Sequence, residues 1–228
     1  MPSSSFTVIG TPFSTFTRTI TLALHYKGLP FNQVRVLPHS DTAYDHHPFG
    51  FLPTLVIHEI EGKTVDLKLR ESMAIVRYLD RVAPQPSLCV LAGDGHILIE
   101  EQMWEFVSFV AAYGFPAVEN GVVKPRVALT DEGKLSDAEI RQQISGGVEK
   151  LRKFLSIIES AMSPDGYVFG DKLSWADFFL YPLLADLNAI PERELLSERL
   201  LTWMALIDGL DAVKDTVAGT LSAGARPP

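Results

Sequence analysis

Residues 10–14 of this 228-residue chain, with the sequence GTPFS, have types and spacing that suit ligand chemistry. They follow an apolar strand pattern and place the hydroxyl of Ser14 just before a helical pattern. Backbone N–H groups at a helix start, together with a hydroxyl, favour an anion there. A serine at this position is also a common helix N-cap, so the segment predicts either an anion site or a cap.

A second candidate segment, FGFLPT at residues 49–54, places Pro53 directly before a strand pattern. A cis Leu52–Pro53 bond would turn the backbone N–H and C=O of Leu52 outward, where an extended peptide would pair with them as an added strand. A trans proline that begins an edge strand is the alternative interpretation. Only the cis form indicates a binding edge for a peptide.

The third candidate segment is the pair Glu71-Ser72, at the start of another helical pattern. The Ser72 hydroxyl and the backbone N–H groups of a helix start suit a carboxylate, whereas the Glu71 carboxylate suits an ammonium group. Together they complement the two charges of an amino acid. An acid and a hydroxyl at a helix start also form an ordinary cap, which is the alternative.

The surrounding patterns predict the elements that position these segments. A strand over residues 6–10, a helix around residues 20–24 and a strand from Phe31 form a βαβ unit, whose crossover implies parallel strands. Two further strand patterns flank Glu61-Gly62 as a hairpin, and a helix follows it. The first part of the chain is therefore predicted to have the order βαβ-ββα.

Helical periodicity replaces strand alternation after the proline- and glycine-rich residues 83–95, which predicts a domain boundary there. We expect a helix that ends near Pro116, an irregular connection over residues 124–134, and a helix from Ser136. Ser136 and Ser174 each stand three positions before an acidic residue, which is the spacing of a capping box. The helix after Ser136 carries an apolar stripe predicted to pack in the core: Ile140, Ile144, Val148, Leu151, Leu155, Ile158 and Met162.

Composition excludes several classes of protein. The chain is 46% apolar and 21% charged, which is typical of a folded globular protein, and its net charge of -8 disfavours nucleic acid as a partner. The start lacks a secretory pattern and no segment offers about 18 apolar residues, so we expect a cytoplasmic protein without a membrane span. Cys89 is the single cysteine, which excludes an internal disulfide. The adjacent His46 and His47 suit a solvated loop, and no metal site is expected.

In order and spacing, these features resemble those of the cytosolic glutathione transferases. Members of that family carry a G-x-P-x-S loop, a cis-proline segment and a Glu-Ser pair in a thioredoxin-like domain, and a capping box in an all-helical domain. The resemblance implies an α/β thioredoxin-like domain over residues 1–86 and an all-α domain over residues 94–222. The stretches STFTR and FGFLP also resemble serine-type transferases of basidiomycete fungi.

The resemblance also implies a role for each candidate residue. Ser14 would donate a hydrogen bond to the glutathione sulfur and stabilise the thiolate. Leu52 would pair with the cysteinyl backbone of glutathione, with Pro53 shaping the loop. Glu71 and Ser72 would hold the γ-glutamyl end.

Further parts of the site are expected from the same resemblance and, for the hydrophobic substrate site, from position in the sequence. His39 falls near the position that some serine-type members use for the glycyl carboxylate, although the stretch through His47 departs from the plant phi-class pattern. The hydrophobic substrate site, to which the helical domain contributes, is expected to include four aromatic residues that are equally consistent with core packing: Phe13, Phe16, Tyr113 and Phe115. A homodimer is implied as well.

The implied activity is attack by the glutathione thiolate on small hydrophobic electrophiles, or reduction of peroxides. The alternative is a carrier that binds hydrophobic or phenolic molecules in the same place with little catalysis. A glutaredoxin-like reductase is disfavoured, because position 14 is a serine and Cys89 lies in the predicted linker.

Overall fold

The computed structural model describes residues 5–90 and 98–226 of the chain. By internal contacts the chain divides into two compact units. The first unit comprises Met1–Leu88 together with Leu210–Pro228, and the second comprises Cys89–Gly209.

The first unit contains an α/β sheet structure with one short helix from the end of the chain. Its described elements are β1 (Phe6–Ile9), α1 (Thr15–Tyr26), β2 (Phe31–Val34), α2 (Asp41–His46), β3 (Thr54–Ile60), β4 (Lys63–Arg70) and α3 (Ser72–Val82). The strands form one sheet in the order β2-β1-β3-β4. β1 and β2 are parallel, whereas β3 is antiparallel to both β1 and β4. The predicted βαβ-ββα order and the thioredoxin-like class of fold are confirmed.

A buried lysine fixes the ends of α1 and α3 that lie away from the candidate segments. The Lys27 ammonium donates to the carbonyls of Ala83 and Pro86 at 2.8 and 2.9 Å, and it lies 3.2 Å from the Asp80 carboxylate. Lys27 is 7% exposed, so these contacts satisfy a charge that water does not reach. The C-terminal ends of both helices are therefore held together.

The second unit is all-helical in the part that the structure describes. It contains α4 (Ile99–Phe109), π-helical turns at Val110–Gly114 and Pro116–Val123, α5 (Lys124–Glu132), α6 (Asp137–Gln143), α7 (Ser145–Ala161), α8 (Trp175–Asn188), a 3-10 turn at Pro191–Leu195 and α9 (Glu198–Asp208). After it, α10 (Asp211–Thr216) and a 3-10 turn at Leu221–Ala223 belong to the first unit.

The long helical stretch Ile99–Glu132 corrects the prediction of a helix end at Pro116 and an irregular segment after it. Proline removes a backbone donor and crowds the preceding turn, and the wider π-helical turns accommodate this without ending the helix. The stretch is long and apolar enough to cross a membrane by length and composition, contrary to the expectation that no segment would be. Half of its most apolar 18-residue window is buried inside the protein, as in the core helix of a globular fold.

The predicted apolar stripe lies on two helices instead of one, because the chain breaks at Ile144 between α6 and α7. Its members are buried, apart from the half-buried Val148. The capping box at Ser136 and Glu139 begins α6, as predicted. The stripe therefore serves the core, as expected from its spacing.

The C-terminal segment differs from its predicted assignment. The sequence placed residues up to 222 in the helical domain, whereas the segment after Gly209 lies with the first unit. There α10 packs on α1, and His25 lies 3.4 Å from Asp215. The predicted domain start at residue 94 lies outside the described residues.

Two carboxyl groups are buried together in the second unit. Glu119 lies in the second π-helical turn and Asp186 lies in α8, and they are 4% and 7% exposed. Burial, reinforced by the Asp186 charge and hydrogen bond, raises the pKa of Glu119 to about 8, and the nearby Lys124 opposes the shift. The pair therefore holds a proton near neutral pH.

Candidate functional site

One row of paired residues crosses the sheet next to all the candidate segments. Ile9 lies opposite Val34 on one side and Thr54 on the other, and Thr54 lies opposite Arg70. The chain leaves β1, β2 and β4 at this row, and it enters β3 there. The loop that holds Ser14, the segment before β3 and the start of α3 therefore all lie at the same end of the sheet.

Ser14 is the N-cap residue of α1 and is half-buried. Its Oγ accepts a hydrogen bond from the backbone N–H of Thr17 at 3.4 Å. A serine hydroxyl has one proton and two lone pairs, so accepting from Thr17 leaves the proton available for donation. The two interpretations of the sequence, a helix cap and a donor to an anion, are therefore compatible at a single oxygen.

The Leu52–Pro53 peptide bond is cis, so the alternative of a trans proline is wrong. Pro53 is buried and Leu52 is half-buried. Both residues precede Thr54, where the pairing of β3 with its neighbours begins. Leu52 therefore lies just beyond the last paired row of the sheet.

Glu71 and Ser72 begin α3, with Glu71 as the N-cap residue. Within the described part of the chain, no side chain caps this helix start. Glu71 has φ 65 and ψ 118, and a non-glycine residue in such a region carries a backbone cost of about 1–3 kcal/mol. Its side chain is 76% exposed, and Ser72 is half-buried. This helix start presents an open carboxylate and uncapped backbone N–H groups.

His39 lies in the loop between β2 and α2 and is exposed. Its backbone N–H donates to the carbonyl of Gly50 at 2.8 Å, and its ring lies against those of Tyr44 and Phe51. Gly50 has φ 66, and a Cβ there would come within 2.9 Å of the Tyr44 ring. The loop therefore needs glycine at position 50, and it places an exposed imidazole at the same end of the sheet.

The prediction of a solvated loop is wrong for His47, which is 3% exposed. Its Nε2 lies 3.3 Å from Oε1 of Glu71, and its Nδ1 accepts a hydrogen bond from the backbone N–H of Phe49 at 3.1 Å. His46 is half-buried, with Nδ1 2.9 Å from the carbonyl of Thr42. No local pattern distinguishes the two histidines, because His47 contacts a residue 24 positions away.

The four aromatic residues of the predicted hydrophobic site are all at least partly exposed. Two of them belong to the first unit and two to the second. Phe13 and Phe16 flank Ser14 and are half-buried. Tyr113 is 66% exposed in the first π-helical turn. Phe115 is half-buried, and the Lys124 ammonium lies 4.7 Å from the centroid of its ring in a cation–π contact.

Few side chains among the described residues are suited to metal binding or thiol chemistry. No group of three or more His, Cys, Asp or Glu side chains among them is placed to hold a metal ion. Cys89, the single cysteine, is half-buried at the start of the second unit, and 75 positions separate it from Ser14 in the sequence.

Family models match both halves of the chain. Residues 13–82 match the glutathione S-transferase N-terminal domain, and residues 141–215 match the glutathione S-transferase C-terminal domain. Together these matches cover more than half of the chain.

Curated relatives match along nearly the whole chain. Glutathione S-transferase F7 of Arabidopsis thaliana is 27% identical over 220 residues, which covers 91% of this chain and 96% of the relative. A glutathione S-transferase of Silene vulgaris is 27% identical over 200 residues, covering 84% of this chain and 86% of the relative.

Solved structures agree with this assignment. Glutathione transferase F7 of Populus trichocarpa has a TM-score of 0.73 at 26% identity, covering 93% of this chain and 97% of that one. Glutathione S-transferase III in its apo form has a TM-score of 0.75 at 23% identity, covering 99% and 100%, and it supports the fold alone.

The fold and the site define a protein with a thioredoxin-like domain, a helical domain and an open polar site at the end of the sheet. The chain belongs to the glutathione S-transferase family. This membership confirms the class of enzyme predicted from the sequence, a glutathione transferase.

Proposed function

We propose that this protein is a serine-type glutathione transferase that binds glutathione at the end of the sheet and stabilises its thiolate with Ser14. The observation that supports this proposal is the row from Val34 through Ile9 and Thr54 to Arg70, because the three candidate segments all adjoin it at one end of the sheet. Each segment complements a different part of one tripeptide.

The sulfur would lie at the start of α1. A thiol with a pKa of about 8.5 is only a few per cent ionised at neutral pH, and the thiolate is the nucleophile. Lowering this pKa by about two units corresponds to about 2.7 kcal/mol, which a hydroxyl hydrogen bond and a helix N-terminus supply together. Ser14 needs no activation as a nucleophile, because its role is to donate the proton that Thr17 leaves available.

The peptide part of glutathione would bind along the segment before β3 and the start of α3. The backbone of Leu52, shaped by Pro53, would pair with the cysteinyl backbone. The uncapped N–H groups of α3 and the Ser72 hydroxyl would bind the γ-glutamyl carboxylate, and Glu71 would accept from the ammonium.

The sites for the glycyl end of glutathione and for the electrophile are assigned by position. His39 is exposed on the neighbouring loop and would bind the glycyl carboxylate. The electrophile would be small and hydrophobic, or a peroxide, and the aromatic residues assigned to its site are Phe13, Phe16, Tyr113 and Phe115.

Several finer points stay predictions. They are the homodimer, the cytoplasmic location and the lack of a metal cofactor. The resemblance to basidiomycete transferases also stays a prediction, because the relatives named above come from plants.

Two variants of Ser14 test the proposal. Ser14→Ala and Ser14→Gly both remove the donor, whereas glycine retains most of the N-cap preference, so a turnover loss shared by both reports on the sulfur contact. We expect turnover with an activated aryl halide or an organic hydroperoxide to fall by roughly 100-fold in both, with glutathione affinity retained. Thr11→Ala, which removes a hydroxyl from the same loop, is the matched control and keeps full turnover.

The outcome also separates the enzyme from the carrier. Tight binding of phenolic ligands by the wild type, without turnover of either kind of substrate, would favour the carrier. Turnover that is unchanged in both Ser14 variants would remove Ser14 from the mechanism while leaving the family assignment intact.

A further inference from the structure

His47 uses both nitrogens of its buried ring. The backbone N–H of Phe49 donates to Nδ1 at 3.1 Å, and Nε2 lies 3.3 Å from Oε1 of Glu71. A ring nitrogen that accepts a backbone hydrogen carries no proton itself, so the imidazole is the neutral tautomer with its proton on Nε2. His47 is therefore a hydrogen-bond donor to the Glu71 carboxylate.

The ring of His47 is fixed on several sides. It lies 6.1 Å from the Phe49 ring and 6.0 Å from the Phe51 ring between centroids. The carbonyl of His47 accepts from Gly50, and its N–H donates to the carbonyl of Ala43. A side chain held in this way has little rotamer freedom left, so its Nε2–H points in a fixed direction.

Glu71, in contrast, has an exposed side chain. It is 76% exposed, and the bond from His47 is the one side-chain hydrogen bond that its carboxylate makes to the described residues. A free glutamate side chain loses rotamer entropy when it binds a ligand, which weakens the binding. A fixed donor that holds one oxygen reduces this loss and leaves the other oxygen for the ligand.

We infer that His47 is a positioning residue, which orients the Glu71 carboxylate toward the α-ammonium of the γ-glutamyl group and thereby selects ligands that carry this ammonium. The inference rests on the proposed function, in which Glu71 accepts from that group. His47 acts through Glu71 and does not touch the ligand.

The two nitrogens of His47 allow its structural role and its positioning role to be separated. In His47→Asn, the amide oxygen replaces Nδ1 and still accepts from Phe49, but the shorter side chain does not reach Glu71. In His47→Gln, the amide nitrogen replaces Nε2 and still donates to Glu71, but the acceptor for Phe49 is lost. The two variants are matched controls for each other.

The experiment measures the dissociation constants of glutathione and of glutaryl-cysteinyl-glycine, which lacks only the ammonium. We expect the wild type to prefer glutathione by about tenfold or more, as for one hydrogen bond to a charged group. His47→Asn should lose most of this preference by weakening glutathione alone, and its kcat at saturating glutathione should stay within about twofold. His47→Gln should retain the preference.

The failures of the two proposals are distinguishable. A wild type that binds both peptides equally well would overturn the assigned contact between Glu71 and the ammonium, and with it this inference. A wild type with the preference, whose His47→Asn variant keeps it or weakens both peptides equally, would overturn the positioning role alone. Should His47→Asn fail to fold, loss of the preference in His47→Gln would overturn the role as well.

Discussion

The starts of α3 and α8 carry the same kinds of residue, a hydroxyl and a carboxylate, yet the fold uses them differently. At α8, Ser174 and Asp177 are fully buried, and the Asp177 carboxylate accepts from the N–H and hydroxyl of Ser174, from the N–H of Val168 and from the indole of Trp203, each at 2.8 Å. At α3, no described side chain caps the helix, and Glu71 is exposed.

The difference shows how a helix start that stabilises the fold is distinguished from one that is open to a ligand. Burial raises the pKa of Asp177, and the hydrogen bonds of Trp203, Val168 and Ser174 act against that shift. These donors are all hydrogen-bonded to Asp177, so none of them is available to a ligand. The start of α3 keeps its donors and its acceptor open, at the cost of a strained backbone at Glu71.

The largest effect is expected when Asp177 at the buried helix start is removed. Asp177→Ala leaves the donors of Ser174, Val168 and Trp203 unpaired in the core, and we expect the free energy of unfolding to fall by about 3–5 kcal/mol. Urea unfolding followed by the far-ultraviolet circular dichroism signal measures it. A loss below about 1 kcal/mol would mean that the buried box is not a main support of the second unit.

The open helix start should respond in the opposite way. Glu71→Gly relieves the positive φ but removes the acceptor of the buried His47 ring, and these two effects oppose each other. We therefore expect a far smaller change in stability than for Asp177→Ala, and glutathione binding weaker by roughly tenfold or more. Calorimetric titration and thermal unfolding measure the two effects.

Glu61→Gly is the matched control for this variant. Glu61 has φ 50 in the hairpin between β3 and β4, so glycine there should relieve strain in the same way and leave glutathione affinity unchanged. Equal affinity in both variants would contradict the ligand role of Glu71.

The buried Glu119 of the second unit is expected to make the stability of the protein depend on pH. Its folded pKa of about 8 exceeds the unfolded value, so the folded state holds a proton that the unfolded state releases between about pH 4.5 and 8. The free energy of unfolding should therefore fall as pH rises through this window, by about 1 kcal/mol per pH unit.

Glu119→Gln should flatten this dependence, because the amide does not titrate. Unfolding in urea at several pH values, for the variant and the wild type side by side, gives the two slopes. Parallel slopes would show that Glu119 does not hold the proton.

The smallest effect is expected at the exposed capping box that begins α6. Glu139 is fully exposed there, and its hydrogen bonds with Ser136 lower its pKa. Glu139→Ala should lower the free energy of unfolding far less than Asp177→Ala does, although the sequence spacing of the two boxes is the same. An effect as large as that of Asp177→Ala would break the distinction between the two boxes.

Local signals predicted most of the fold. The strand and helix patterns of the first unit depend on side-chain periodicity and turn residues within a few positions, so the βαβ-ββα order follows from them. The helix end at Pro116 was wrong because the π-helical turns that accommodate proline leave no mark in the sequence. The place of α10 was missed because it depends on packing against α1, which is distant in the chain.

The candidate site was predicted in its parts and not in its contacts. Ser14, Pro53 and Glu71 each stood out beside a turn or a helix start. Their common placement at one end of the sheet depends on strand register, which pairs residues that are far apart in the chain. His47 was assigned to a solvated loop for the same reason, since its contact with Glu71 joins residues 24 positions apart, on either side of the β3–β4 hairpin.

The ionisation of bound glutathione tests the central claim most directly. Thiolate absorbance, recorded against pH with the protein saturated, gives the pKa of the bound thiol in the wild type and in Ser14→Ala. The account predicts a value about two units below that of free glutathione in the wild type, and a rise of at least about one unit in the variant. An identical thiol pKa in the two proteins would contradict it.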